Sequence, residues 1–239
     1  MAWRGLVHER DLSPATRADT SDWFSFALPP GEQMLGYPVA GEGEETSIGQ
    51  RRFNFVWYRP ADAMQTLPEL LTDIDGKRHE LSIAPHRIRP DVISAMRSDA
   101  ERLLSPQFAE IVRLTKQPFI QAILDLEAKR MMVGTRTVLL GDAAFVARPH
   151  VGMGVTKAAL DAAGLAKALQ DHPANMQAAL TAFNGARTPF GAAVVRRARH
   201  LGAYMQAQIA TDEDRISAER YRTPEAVMAE TAVSTGIAA

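Results

Sequence analysis

The chain contains no cysteine, which excludes a disulfide framework, a zinc–thiolate site and a thiol nucleophile. That composition fits a reducing compartment, and a cytoplasmic protein is the expectation. No apolar run approaches the roughly 18 residues of a membrane span, and the N-terminus lacks the charged-then-apolar order of a signal peptide. Neither sign of charge is in excess: 27 Lys and Arg stand against 28 Asp and Glu, with no long run of either. Composition therefore gives no reason to invoke nucleic acid or an anionic membrane. The G-x-S-x-G pattern of a hydrolase nucleophile is missing. His79, His86, His172 and His200 are scattered without metal-ligand spacing, so no metal is expected. Small molecules or proteins remain as partners.

What is present is enough apolar material to build a core, 46% of 239 residues, suited to one large domain or two modest ones. Ala2 to Val7 reads as a strand, and Ser13-Pro14 as an N-cap and first helical position before Trp23. Strands are expected around Phe24 and Phe26, from Gln33 to Val39, and from Arg52 to Tyr58, where Phe53, Phe55 and Trp57 alternate strictly. The polar, glycine-bearing segment Gly41 to Glu45 suits a hairpin tip. Together these predict a largely antiparallel sheet. Helices follow from Pro90 to Leu104 and from Pro106 to Leu114, then a returning strand from Phe119 to Leu126.

The Thr137 to Leu140 run is β-rich and ends on Gly141-Asp142, and from Gly154 the residues Val155, Ala158, Ala159, Ala162, Leu165, Ala166 and Leu169 recur at helical spacing. An alanine-rich helix is expected from Pro173 to about Ile209, bent near Pro189, with a polar tail from Thr211 that offers few core-forming residues. The fold class is α/β (α+β): a mixed sheet covered by helices, then a strand, loop and helix, then a long C-terminal helix. The expected divisions are 1–126, 127–172, 173–210 and 211–239.

Chemistry concentrates between Gly141 and Gly154. A flavin carries a ribityl chain of hydroxyls and a ring whose N1 and O2 edge becomes negative on reduction. An Asp ending a strand can accept hydrogen bonds from such hydroxyls. A glycine-rich helix start can bring bare N–H groups and the positive dipole end to an anionic edge. Asp142, Pro149, Gly152 and Gly154 are placed for this. The same spacing also describes an ordinary strand-to-helix turn, and spacing alone leaves both open.

The longer string does more. Val138 to Phe145, Arg148-Pro149-His150, Gly152-Met153-Gly154 and Asp161-Ala162 resemble the second flavin-contact motif of the group A FAD-dependent aromatic monooxygenases, and within them the hydroxypyridine hydroxylase branch. Trp3-Arg4-Gly5, Leu35-Gly36-Tyr37-Pro38, Arg52, Trp57-Tyr58-Arg59 and Pro118 to Ile123 extend the resemblance over roughly residues 2 to 205. It implies that Asp142 binds the ribityl chain and that Gly141, Pro149, Gly152, Met153, Gly154 and Val155 lie beside the flavin. Gly152 and Met153 depart from the commoner residues of that loop.

The family pattern also begins earlier, with a βαβ unit whose GxGxxG turn holds the FAD pyrophosphate. That turn is absent here, so the expectation is a truncated or split product, or a coding start assigned too late. The resemblance implies FAD as cofactor, NAD(P)H as electron donor, and hydroxylation of an electron-rich aromatic or heteroaromatic ring with O2. The alternative is a catalytically incomplete fragment that is inactive or joins a separately encoded nucleotide-binding partner. A homodimer is compatible with either.

Two further sets of candidates follow. Tyr37 and Trp57 are the preferred substrate contacts, in a sheet that roofs the pocket in the resembled family; aromatics at alternating positions also serve as plain core. His150, beside Pro149, could relay a proton from a hydroxylated ring, or only hydrogen-bond the backbone. These two residues are the catalytic candidates. Arg196, Arg197, Arg199 and His200 read as the solvated face of the last helix, pairing with acidic groups, with a phosphate site as the alternative.

Overall fold

The computed structural model describes residues 1–203, 205, 209 and 211–233. It forms two compact units, Met1–Ala122 and Ile123–Ala239. Among the described residues no helix is long and apolar enough to cross a membrane.

The first unit runs through β1 (Ala2–His8), α1 (Pro14–Thr20), β2 (Ser25–Ala27), β3 (Gln33–Val39), β4 (Arg52–Tyr58), α2 (Thr66–Leu70), α3 (Pro90–Leu103), α4 (Pro106–Leu114) and β5 (Phe119–Gln121). Its strands form one sheet in the order β2-β3-β4-β1-β5, every pair antiparallel. The alternation seen in the sequence sets the register. Trp3 faces Trp57, Gly5 faces Phe55, Val7 faces Phe53 and Met34 faces Trp57, so these side chains share one face. That face packs with Val92, Met96 and Ala100 of α3 and Phe108, Ile111 and Val112 of α4 into a single apolar cluster. Phe53 and Phe55 are almost completely buried there, each contributing about 2 kcal/mol of transfer free energy.

Two of the four helix starts, those of α1 and α4, follow the capping logic. The Ser13 hydroxyl accepts from the Thr16 amide and the Ser105 hydroxyl from the Phe108 amide, each with proline at the next position. Glu110 on α4 then receives the Ser13 amide and hydroxyl, both at 2.8 Å, which ties α1 to α4.

The second unit contains β6 (Leu126–Glu127), β7 (Met132–Val133), β8 (Thr137–Val138), β9 (Phe145–Val146), α5 (Gly154–Asp171), α6 (Met176–Ala203), α7 (Asp212–Arg220) and α8 (Pro224–Met228). Here β6 pairs with β9 and β7 with β8. Helices α5 and α6 enclose a core of Met131, Ala144, Phe145, Ala168, Phe183 and Val195. Pro189 lies within α6, as expected.

Three expectations need correction, and a fourth runs past the described residues. The single returning strand from Phe119 to Leu126 is divided, since β5 joins β1 while β6 joins β9. The strand expected over Thr137 to Leu140 stops at Val138, and Asp142 sits in a 3-10 turn, Gly141–Ala143. The last long helix ends at Ala203; the expected continuation to Ile209 includes residues 204 and 206–208, which lie outside those described. The polar tail is helical over α7 and α8 and does supply core: Tyr221 and Val227 are buried. A capping box between Thr211 and Asp214 and the Thr223-Pro224 cap start these helices, a signal that composition alone does not carry.

Candidate functional site

The loop from Gly141 to Gly154 belongs to the second unit, and its backbone is pinned from α5. Gly141 adopts a left-handed φ of 55°, and a Cβ there would lie 3.1 Å from the Ala158 methyl. Its amide donates to Asp161 Oδ2 at 3.0 Å, and Arg187 Nε on α6 donates to Asp161 Oδ1 at 2.9 Å. This anchoring turns the next residue outward: the Asp142 side chain is 74% exposed.

Pro149 opens a second 3-10 turn, Pro149–Val151, which closes with Gly152 at φ 69° and its amide donating to Pro149 O at 2.9 Å. Only glycine holds that conformation without strain. The Ala232 amide donates to Val151 O at 2.8 Å, so the segment after α8 braces this turn. Helix α5 then starts without a side-chain cap, which leaves first-turn amide donors for a ligand or water. A Cβ at Gly154 would meet nothing within 4 Å.

The expected flavin contacts therefore divide by direction. Asp142, Pro149, Gly152, Gly154 and Val155 are exposed, while Gly141, Met153 and His150 face inward. The His150 Nε2–H donates to Ala198 O on α6 at 2.6 Å; a carbonyl only accepts, so this nitrogen carries the hydrogen. Burial pulls the His150 pKa down to about 4, which keeps the ring neutral at pH 7. This geometry locks the loop onto α6.

The buried face of α5 was not legible as a site. The apolar set that recurs at helical spacing does not form the buried face: Val155 is 87% exposed and Leu169 36% exposed. In their place Lys157, Asp161 and Ala168 are buried. Lys157 is fully buried, its Nζ makes no hydrogen bond, and Asp142 Oδ1 lies 3.7 Å away. Burial lowers the Lys157 pKa against the pull of Asp161 and Asp142. The available signal was the i, i+4 pairing of Lys157 with Asp161 in the apolar first half of the helix.

Nearby, Arg148 Nε donates to Asp125 Oδ2 and Arg199 Nη2 to Asp125 Oδ1, both at 2.8 Å. Burial raises and the two arginines lower the Asp125 pKa, with a net lowering. Arg199 thus pairs with acidic groups, as expected of that cluster, and Arg197 donates to Val233 O at 2.8 Å.

The two substrate candidates lie in the first unit, on opposite faces of its sheet. Tyr37 pairs with Asn54, whereas Trp57 pairs with Met34 and Trp3, and alternate residues point to opposite sides. Trp57 is fully buried in the helix-covered core, its Nε1–H donating to Glu32 Oε2 at 2.8 Å. The expectation that both line one pocket is overturned by this register. Tyr37 is half-buried and stacked on Phe24, with ring centroids 5.2 Å apart.

The chain is similar to several known proteins. Residues 1–125 match the family model described as FAD binding domain-like. Over 206 residues the chain is 27% identical to 2,6-dihydroxypyridine 3-monooxygenase of Paenarthrobacter nicotinovorans, covering 86% of this chain and 50% of that protein. It is 44% identical over 77 residues to an FAD-dependent urate hydroxylase of Mycolicibacterium vanbaalenii, covering 32% of this chain and 20% of that one. The solved 2,6-dihydroxypyridine-3-hydroxylase from Arthrobacter nicotinovorans is similar with a TM-score of 0.77 and 25% identity, over 88% of this chain and 53% of that structure. The chain spans about half the length of the dihydroxypyridine relative it matches.

Proposed function

The chain belongs to the FAD binding domain-like family, and from that premise we propose that it is an FAD-dependent monooxygenase, or its substrate-side half, hydroxylating an electron-rich aromatic or hydroxypyridine-type ring. The observation that carries the reading is the Asp142 carboxylate, presented outward from a glycine turn beside the uncapped start of α5. Asp142 accepts from ribityl hydroxyls, and the amides at Gly154 and Val155, with the helix dipole, stabilise an anionic ring edge. Pro149 and Gly152 flank the ring, and Gly141 and Met153 support the loop from behind. When bound, FAD supplies the redox chemistry, with NAD(P)H as donor and O2 as oxidant.

His150, donating to Ala198 O from a buried position, acts as a positioning residue in this reading and not as the proton relay. Tyr37 is retained as a contact for an aromatic substrate, and Trp57 is assigned to the core. A cytoplasmic location fits the cysteine-free chain.

Groups suited to the ribityl chain and ring edge are present, while no GxGxxG turn is available for the pyrophosphate. Titration of the purified chain with riboflavin, FMN and FAD, followed by quenching of flavin fluorescence, tests this. The three are expected to bind within about tenfold of one another, and Asp142→Ala to weaken all of them about tenfold to a hundredfold. Unchanged affinity in Asp142→Ala removes the assignment. Tight, stoichiometric FAD retention with NADH oxidation dependent on an aromatic substrate would instead mark a complete catalyst.

A second reading has its own observation. Val155, Leu160 and Leu169 leave apolar surface on α5 exposed, which suits a non-catalytic fragment that joins a separately encoded nucleotide-binding partner. Tight FAD binding that appears only when such a polypeptide is added would favour it.

A further inference from the structure

Lys157 is placed where an ammonium is most costly. Its side chain is fully buried and its Nζ has no hydrogen-bond partner. It stands in the first turn of α5, at the positive end of the helix dipole. The Arg187 guanidinium adds like charge, and its own Nη2 is buried without a hydrogen bond. The buried carboxylate of Asp161 is already engaged, one oxygen by Arg187 Nε and the other by the Gly141 amide. The remaining anionic group is Asp142, whose carboxylate looks into solvent with Oδ1 3.7 Å from Lys157 Nζ.

Packing alone gives no reason for a charge here, because methionine has the same reach and none of these penalties. We infer that Lys157 is a positioning residue whose buried ammonium holds the Asp142 carboxylate aimed outward for a hydroxyl-bearing ligand, at the expense of stability in the ligand-free chain. The inference rests on the reading of Asp142 as the contact for the ribityl chain. Lys157 does not touch that ligand; it acts through Asp142. A lysine that merely stabilised the fold would behave in the opposite way when replaced by methionine.

The test uses the full 239-residue chain as wild type, Lys157→Met, Asp142→Asn and the double variant. Thermal unfolding is measured without ligand, and FMN binding by fluorescence quenching. Lys157→Met is expected to unfold at a higher temperature and to bind FMN about tenfold more weakly. Asp142→Asn is expected to weaken FMN binding at least as much, with no further loss in the double variant, because the lysine has nothing left to position. A lower unfolding temperature in Lys157→Met, unchanged FMN affinity, or full addition of the two losses overturns the inference. If the wild type binds no FMN, the flavin reading fails separately, and the unfolding data then decide the role of Lys157. Asp142→Asn must lower the unfolding temperature beside Lys157 and leave it unchanged beside Met; equal effects in both backgrounds overturn the proposal.

Discussion

Asp73 in the first unit and Lys157 in the second are both fully buried charges, yet their surroundings are opposite. Asp73 Oδ1 accepts the amides of Asp75 and Lys77, both at 3.0 Å, while Oδ2 accepts His79 Nε2 at 2.8 Å and Arg87 Nε at 2.9 Å. Lys157 makes no side-chain hydrogen bond. A saturated charge organises the chain around it, here the loop from Asp73 to Arg87. An unsaturated one is poorly explained by stability and is better explained by what it holds in readiness.

That contrast breaks most visibly at Asp73. Asp73→Ala leaves two amides, an imidazole and a guanidinium without their acceptor, so the first unit should lose on the order of 10 °C of unfolding temperature, the largest change among these variants. Calorimetry of the variant checks it, and a loss no greater than that of a surface substitution would erase the distinction between the two charges. The pH dependence has a definite sign. Hydrogen bonds from His79 and Arg87 hold the Asp73 carboxyl far below the usual carboxylate range. Its contribution is fully present above the unfolded carboxylate pKa of about 4 and is lost as pH falls below that value.

His150 gives a smaller effect over a different pH range. Its folded pKa is pulled by burial to about 4, below the imidazole value of 6.5, so the folded state prefers the neutral ring. Stability of the second unit is full above pH 6.5 and declines as pH falls towards about 4, where the unfolded chain binds the proton and the folded chain resists it. His150→Gln should flatten that slope in urea unfolding monitored by far-ultraviolet circular dichroism. A slope retained in the variant would assign it to another group.

Much of this arrangement was readable from residues. Phe53, Phe55 and Trp57 announced a strand with one apolar face, Ser13-Pro14 announced a helix start, and Gly152 and Gly154 announced a loop leading into a helix. What escaped was set by partners distant in sequence. Tyr37 and Trp57 looked equivalent as strand aromatics until the β3–β4 register put them on opposite faces. Lys157 carried the ordinary signature of a solvated helix residue, yet it is fully buried in a helix that packs on both α6 and the Gly141–Ala143 turn. The tail read as poor in core-forming residues because its large apolar side chains are few, yet two short capped helices bring Tyr221 and Val227 inside.

Replacing Trp57 and then Tyr37 carries the comparison into the sheet, with the smallest effect at Tyr37. The Trp57 indole is a saturated polar group: its N–H reaches Glu32, and the Glu32 carboxylate also receives Arg59 Nε at 2.9 Å. Trp57→Phe removes one hydrogen bond to a charged acceptor and some core volume, so it should cost about 2 kcal/mol of unfolding free energy. Tyr37→Phe keeps the ring stacked on Phe24 and should stay within about 0.5 kcal/mol of wild type, because it deletes only a hydroxyl on a half-buried side chain. Denaturant titration of both variants measures the difference. If Tyr37→Phe were the more damaging, its hydroxyl would be structural, and the case for Tyr37 as a contact for an aromatic substrate would fall with it.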